Sequence, residues 1–175
     1  MRKIKYKKGR KVQPSTLEYT GIHKDTPTEM QMFVYNTEEV IEFQQCEPHD
    51  LDTNIDDLKV NWINIHGLNN HTFIEKVGAK FNADHFIIGD ILNTTKRTRV
   101  EEYHNILFFN VKSLLPLKSS DNISVEQISF LLIDNVLISL QERRSDFFTH
   151  IRERIITNSG VVRTKKADYL LYLLL

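Results

Sequence analysis

Apolar residues fall along the chain in stretches whose spacing predicts strands in some places and helices in others. In residues 30–35, Met30, Met32 and Val34 share one face, which is typical of a strand. Three further stretches give strand signals, the last dense enough for a central strand: residues 17–20, 60–65 and 105–115.

A β-hairpin is predicted where residues 124–133 and 136–141 flank Asp134 and Asn135. Two turn-forming residues between apolar runs favour a tight connection. Such a hairpin requires antiparallel pairing, so we expect a mixed sheet.

Helical periodicity is clearest after Asn70, a suitable N-cap, where apolar side chains recur on one stripe. That stripe consists of Phe73, Ile74, Val77 and Phe81. Further helices are expected from Asp84 to residue 92, over residues 146–156, from residue 164, and from a start at residues 36–39 with Val40, Ile41 and Phe43 on the inner face.

These elements predict the α/β class: an α/β/α sandwich with a mixed, partly antiparallel sheet, followed by C-terminal helices. We expect a basic, disordered tip at residues 1–13, an α/β core at residues 14–142 and a helical extension at residues 143–175. Residues 169–175 are all apolar or aromatic and carry no helix stop signal, which indicates that the sequence stops inside a helix.

The composition fits one folded domain, because 41% of the 175 residues are hydrophobic and 10% are aromatic. The formal net charge is zero, but seven basic residues lie within the first eleven positions and leave the rest of the chain at −7. Eight acidic residues lie between Glu38 and Asp57, and no lysine or arginine lies between Asp25 and Leu58.

Several classes of protein are excluded or disfavoured. Cys46 is the only cysteine, which excludes an intrachain disulfide and a cysteine-based zinc cluster. Neither a secretory signal nor a run of about 20 apolar residues is present, so we expect a soluble, cytoplasmic chain. The sequence lacks a nucleophile elbow, a phosphate-binding glycine loop and a dinucleotide fingerprint, and we therefore expect no enzyme.

Metal-binding patterns are weak. Asp50, Asp52 and Asn54 have the spacing of the first three ligands of an EF-hand loop, but Ile55 stands where glycine is required. Asn61 then occupies the position of the bidentate glutamate, so a solvated acidic loop is the favoured interpretation. The histidines show no pairing at i and i+4 with a nearby carboxylate of the kind that marks a helical zinc site.

The basic tip is suited to nucleic acid or to an anionic lipid surface, but no aromatic ladder or recognition helix accompanies it. From the residues alone, the prediction is a soluble α/β domain with an acidic body. A freestanding module that binds proteins or nucleic acids is one alternative.

The run Trp-Ile-Asn-Ile-His-Gly-Leu at residues 62–68 looks like the Trp-Ile-x-Ile-x-Gly strand of CorA-type magnesium and cobalt transporters. The resemblance to this family extends over nearly the whole chain, with the motifs in the same order. Further resemblances lie at residues 14–21, 81–92, 97–103, 138–142, 152–155 and 160–172.

This resemblance implies a cytoplasmic Mg2+-sensing regulatory domain of a divalent cation channel, with the stalk helix and two transmembrane helices absent. In that family, acidic side chains at protomer boundaries bind Mg2+ and favour the closed pore. The implied partners are further copies, as a pentamer in the full-length protein, the cell membrane through the missing C-terminal part, and divalent cations, but no nucleic acid. Mg2+ or Co2+ is the implied regulatory ligand, acting on the cytoplasmic face.

Two metal-binding residues are implied by position. Asp90 corresponds to the second acid of the family's Glu-Asp-Ile-Leu segment, and Gly89 replaces the first, which we expect to weaken or rearrange the interfacial site. Asp168 matches an acid implicated in cytoplasmic ion binding in relatives. An ordinary carboxylate on a helix face is the alternative for Asp168.

Overall fold

A computed structural model describes residues 16–116 and 123–175, so the basic tip predicted at residues 1–13 lies outside the described part. The strands are β1 (Glu29–Tyr35), β2 (Val40–Phe43), β3 (Val60–His66), β4 (Arg99–Tyr103), β5 (Ile106–Pro116), β6 (Ile123–Ile133) and β7 (Val136–Gln141). The α-helices are α1 (Leu51–Asn54), α2 (His71–Lys80), α3 (His85–Leu92), α4 (Thr149–Ile156) and α5 (Ala167–Leu174). Short 3-10 turns cover Pro48–Asp50, Asp146–Phe148 and Val162–Thr164.

These strands form one mixed sheet in the order β2-β1-β3-β7-β6-β5-β4. The neighbours β3 and β7 run parallel, and every other described pair is antiparallel. All residues of β3 and β7 are buried, as expected for strands with helices over both faces.

Helices cover both faces of the sheet, and successive residues of β3 supply both cores. Ile63 and Ile65 belong to a cluster with the apolar residues of α2 and α3. Trp62 points to the opposite face. The centroid of its ring lies 5.3 Å from the ring centroid of Phe33 and 6.1 Å from that of Phe148. The apolar residues of α4 and α5 complete this second cluster.

The predicted fold class is confirmed, since a mixed sheet lies between two helical layers. The predicted hairpin is also present: β6 and β7 pair up to Ile133 and Val136, and Asp134 adopts a positive φ of 48° in the turn. Asn70 and Asp84 cap α2 and α3 as the sequence predicts.

The helix expected after residues 36–39 is wrong, because this segment is the turn of a hairpin between β1 and β2. The Asn36 side chain accepts hydrogen bonds from the backbone N–H groups of Glu38 and Glu39, both at 2.9 Å. The same side-chain chemistry serves a helix cap and a tight turn, and here the pairing of β2 with β1 decides between them.

Two strand predictions also need correction, and one strand was missed. Residues 17–20 form no strand, although Leu17 and Tyr19 are buried. The strand β5, expected to be central, lies one position from the sheet edge, and the edge strand β4 beside it was not anticipated.

Candidate functional site

Asp90 lies on α3, whose first turn is fixed by the Asp84 carboxylate as it accepts the Ile87 N–H at 2.9 Å. The apolar face of α3 packs against the sheet, and Asp90 is 8% exposed. A Cβ at Gly89 would contact Leu17 at 3.6 Å, an ordinary van der Waals distance. Packing therefore does not require glycine where the family's first acid is expected.

The Asp90 carboxylate is held between two cations of the same chain. Lys96, in the segment after α3, places its Nζ 2.9 Å from Oδ1 of Asp90. Arg99, at the start of β4, pairs its Nη2 with Oδ2 and its Nη1 with the Glu101 carboxylate. The guanidinium also lies 5.7 Å from the centre of the Phe108 ring, which holds it in place. The charge of Asp90 is thus already compensated.

Asp168 has a different environment. It is exposed in the first turn of α5, where its Oδ1 accepts the backbone N–H of Tyr169 at 2.8 Å. Because α3 and α5 lie on opposite faces of the sheet, the structure does not bring Asp90 and Asp168 together within one copy.

No group of three or more acidic, histidine or cysteine side chains that could hold a metal ion occurs within residues 16–116 and 123–175. In the acidic loop, Asp52 pairs with Lys80 of α2, and Asp50 accepts the backbone N–H of Glu47 at 2.8 Å. These carboxylates support the loop and its contact with α2.

Two buried acids were not anticipated from the sequence. Glu142 accepts a hydrogen bond from the Tyr19 hydroxyl at 2.5 Å and another from the Gln127 backbone N–H at 2.8 Å. Glu126 is 1% exposed and faces Arg143, and burial raises the pKa of its carboxyl group. A glutamate inside an apolar strand is the signal that could have identified Glu126. Glu142 thus links the segment around Tyr19 to β6, whereas Glu126 holds Arg143.

Within the described residues, the helices are too short or too polar to cross a lipid bilayer.

Comparison with known proteins gives one family. Residues 57–175 match the family model of the CorA-like Mg2+ transporter protein. The chain is 34% identical over 174 residues to the cobalt/magnesium transport protein CorA of Thermotoga maritima. That alignment covers 99% of this chain and 49% of the relative, so the chain spans about half the relative's length.

Solved structures show the same fold at low sequence identity. The complete CorA magnesium transporter of Methanocaldococcus jannaschii matches with a TM-score of 0.62 and 14% identity, over 82% of this chain and 42% of that one. The soluble domain of the same organism's CorA matches with a TM-score of 0.58 and 14% identity, over 82% of this chain and 53% of that one.

Proposed function

Because the family model covers more than half of its residues, this chain belongs to the CorA-like Mg2+ transporter family, and we propose that it is the cytoplasmic, Mg2+-sensing domain of a divalent cation channel. The family match over residues 57–175 is the observation that carries the proposal. On this proposal, the full-length protein is a pentamer in the cell membrane and conducts Mg2+ or Co2+. The domain lies on the cytoplasmic face and favours the closed pore when Mg2+ binds between protomers.

The shape and extent of the chain support this assignment. Its sandwich resembles a CorA soluble domain, and the chain covers about half of the Thermotoga maritima relative. A ligand shifts an equilibrium between two conformations only if it binds one of them more tightly. On this proposal, Mg2+ binds the closed arrangement of the copies more tightly than the open one, and the contacts between copies transmit the effect to the pore.

The two candidate acids differ in how well they suit Mg2+. Mg2+ prefers oxygen ligands, keeps several of its waters and takes one or two carboxylates. Asp168 offers an exposed carboxylate that forms no ion pair with a lysine or arginine of the described residues. Asp90 does not fit as a free ligand, because Lys96 and Arg99 already neutralise it. Because the two acids lie on opposite faces of the sheet, a site that uses both of them must draw on more than one copy.

Thermal melts test the proposal. At constant ionic strength, we expect Mg2+ about tenfold above its Kd to raise the melting temperature by about 3–6 °C, because it binds the folded, associated protein. The double variant Asp90→Asn with Asp168→Asn should lose this shift. Lys96→Gln should enlarge it, because a neighbouring positive charge then no longer opposes Mg2+.

Lys76→Gln is the matched control, since Lys76 is an exposed lysine on α2 and should leave the Mg2+ shift unchanged. Each variant is compared with its own Mg2+-free melt, because Asp90→Asn also leaves Arg99 without one partner and lowers the starting stability. A wild-type melt that responds equally to Mg2+ and to Na+ of the same ionic strength would contradict sensing by this domain.

A further inference from the structure

A cleft of about 200 Å³ lies between the β1–β2 turn, the β6–β7 turn and the segment that leads into α5. We call it the basic cleft and define it by Tyr35, Asn36, Asn135 and residues 163–166. For comparison, a water molecule occupies about 30 Å³ in the liquid, so a small polyatomic ion has ample room. The cleft lies on the same side of the sheet as α5, away from Asp90.

Two buried polar groups of the basic cleft lack hydrogen-bond partners within the described part of the chain. Arg163 is 7% exposed; its Nε donates to the backbone oxygen of Asn36 at 2.7 Å, but its Nη2 has no acceptor. Tyr35 is fully buried, and its hydroxyl is also unpaired. A buried donor without an acceptor costs about 1–3 kcal/mol, so this pair favours a ligand that supplies acceptor atoms.

The charge around the cleft favours an anion. Lys165 and Lys166 are exposed, and no carboxylate pairs with either of them in residues 16–116 or 123–175. Lys59, which also lines the cleft, is different, because Glu39 and Asp56 lie 2.7 Å and 3.1 Å from its Nζ. The available positive charge therefore comes from the segment of residues 163–166.

We propose that the basic cleft binds the phosphoryl group of a small, soluble phosphate compound. A phosphoryl group brings several acceptor oxygens and more than one negative charge, which suits one guanidinium, one hydroxyl and two ammonium groups better than a single carboxylate does. Lys165 and Lys166 compensate its charge, and a side-chain movement that exposes Arg163 Nη2 and the Tyr35 hydroxyl lets both groups donate to its oxygens. This site is independent of the proposed Mg2+ response.

Calorimetric titration with sodium pyrophosphate tests the proposal in EDTA-containing buffer, so that no divalent cation takes part. We expect saturable binding by the wild type above a sodium chloride blank of equal ionic strength. The variant Lys165→Gln with Lys166→Gln should weaken binding at least tenfold, because it removes two charges without touching buried groups. Lys76→Gln, which changes a lysine on the other face, should bind like the wild type.

Tyr35→Phe provides a second check on geometry. It deletes a hydroxyl that has no partner, so the ligand-free protein should keep its melting temperature while its pyrophosphate affinity falls. The proposal is overturned by titrations that match the sodium chloride blank, or by equal affinity in the wild type and the double lysine variant. Unchanged affinity in Tyr35→Phe would likewise overturn the assigned mode of binding.

Discussion

The carboxylate of Asp90 shows how far single residues could be placed from sequence. Its position on a short helix capped by Asp84 was predictable, because the cap and the apolar stripe are local signals. Its partners were not. Lys96 and Arg99 lie six and nine residues further along, and Arg99 reaches Asp90 only because β4 joins the sheet edge. Whether Asp90 and Asp168 bind metal stays a prediction.

His66 is a buried histidine held in its neutral form. It ends β3, is 2% exposed, and accepts a hydrogen bond at Nε2 from the Asn64 amide nitrogen, 3.3 Å away. Burial, together with the positive charges of Arg152 and Arg144, lowers the pKa of His66 from 6.5 to about 4. Between these two values, the unfolded chain binds a proton that the folded protein does not.

The stability contributed by neutral His66 is therefore complete above pH 6.5 and is lost as the pH falls towards 4. Glutamine cannot be protonated, so the variant His66→Gln lacks this source of acid sensitivity. We predict that, as the pH falls from 6.5 to 4, its free energy of unfolding drops by up to about 3 kcal/mol less than that of the wild type. Urea unfolding at both pH values measures this difference. Parallel loss of stability in the two proteins would show that other groups cause the acid sensitivity.

Among the helices and strands, a local sequence signal predicted the correct element where only one type of structure was compatible with it. The caps of α2 and α3 and the β6–β7 turn appear as expected. Asn36 was misinterpreted as a helix cap. The four residues after the turn are too few to distinguish a helical from a strand period, and they form β2, which pairs with β1. The strand β4 was missed because polar residues dominate it, as suits a sheet edge, and only pairing with β5 reveals it.

The cap of α3 gives a direct prediction, since Asp84 satisfies the backbone N–H of Ile87. We expect Asp84→Ala to lower the free energy of unfolding by about 1 kcal/mol, because that donor loses its acceptor. Asp84→Asn keeps a capping oxygen and should retain most of the stability. Equal losses in the two variants, measured by urea unfolding, would show that the hydrogen bond at the cap is not what stabilises α3.

At the scale of the whole molecule, the α/β class followed from the order of strands and helices, but the strand order did not. The parallel pair β3–β7 joins residues 75 positions apart, and no local pattern specifies such a contact. Likewise, periodicity predicted helices near residues 146–156 and beyond 164, but not that they cover the sheet face that holds Trp62. The basic cleft arises from the same long-range packing, since Arg163 meets a turn 127 residues earlier.

We propose that this CorA-family domain responds to Mg2+ through contacts between copies. Sedimentation velocity at constant ionic strength, with and without Mg2+, measures such a response. We predict that Mg2+ shifts the wild type towards a larger, associated species and leaves the variant Asp90→Asn with Asp168→Asn unchanged, because both candidate carboxylates are then neutral amides. A sedimentation coefficient of the wild type that does not change between Mg2+-free and Mg2+-containing buffer would contradict an Mg2+ response through contacts between copies.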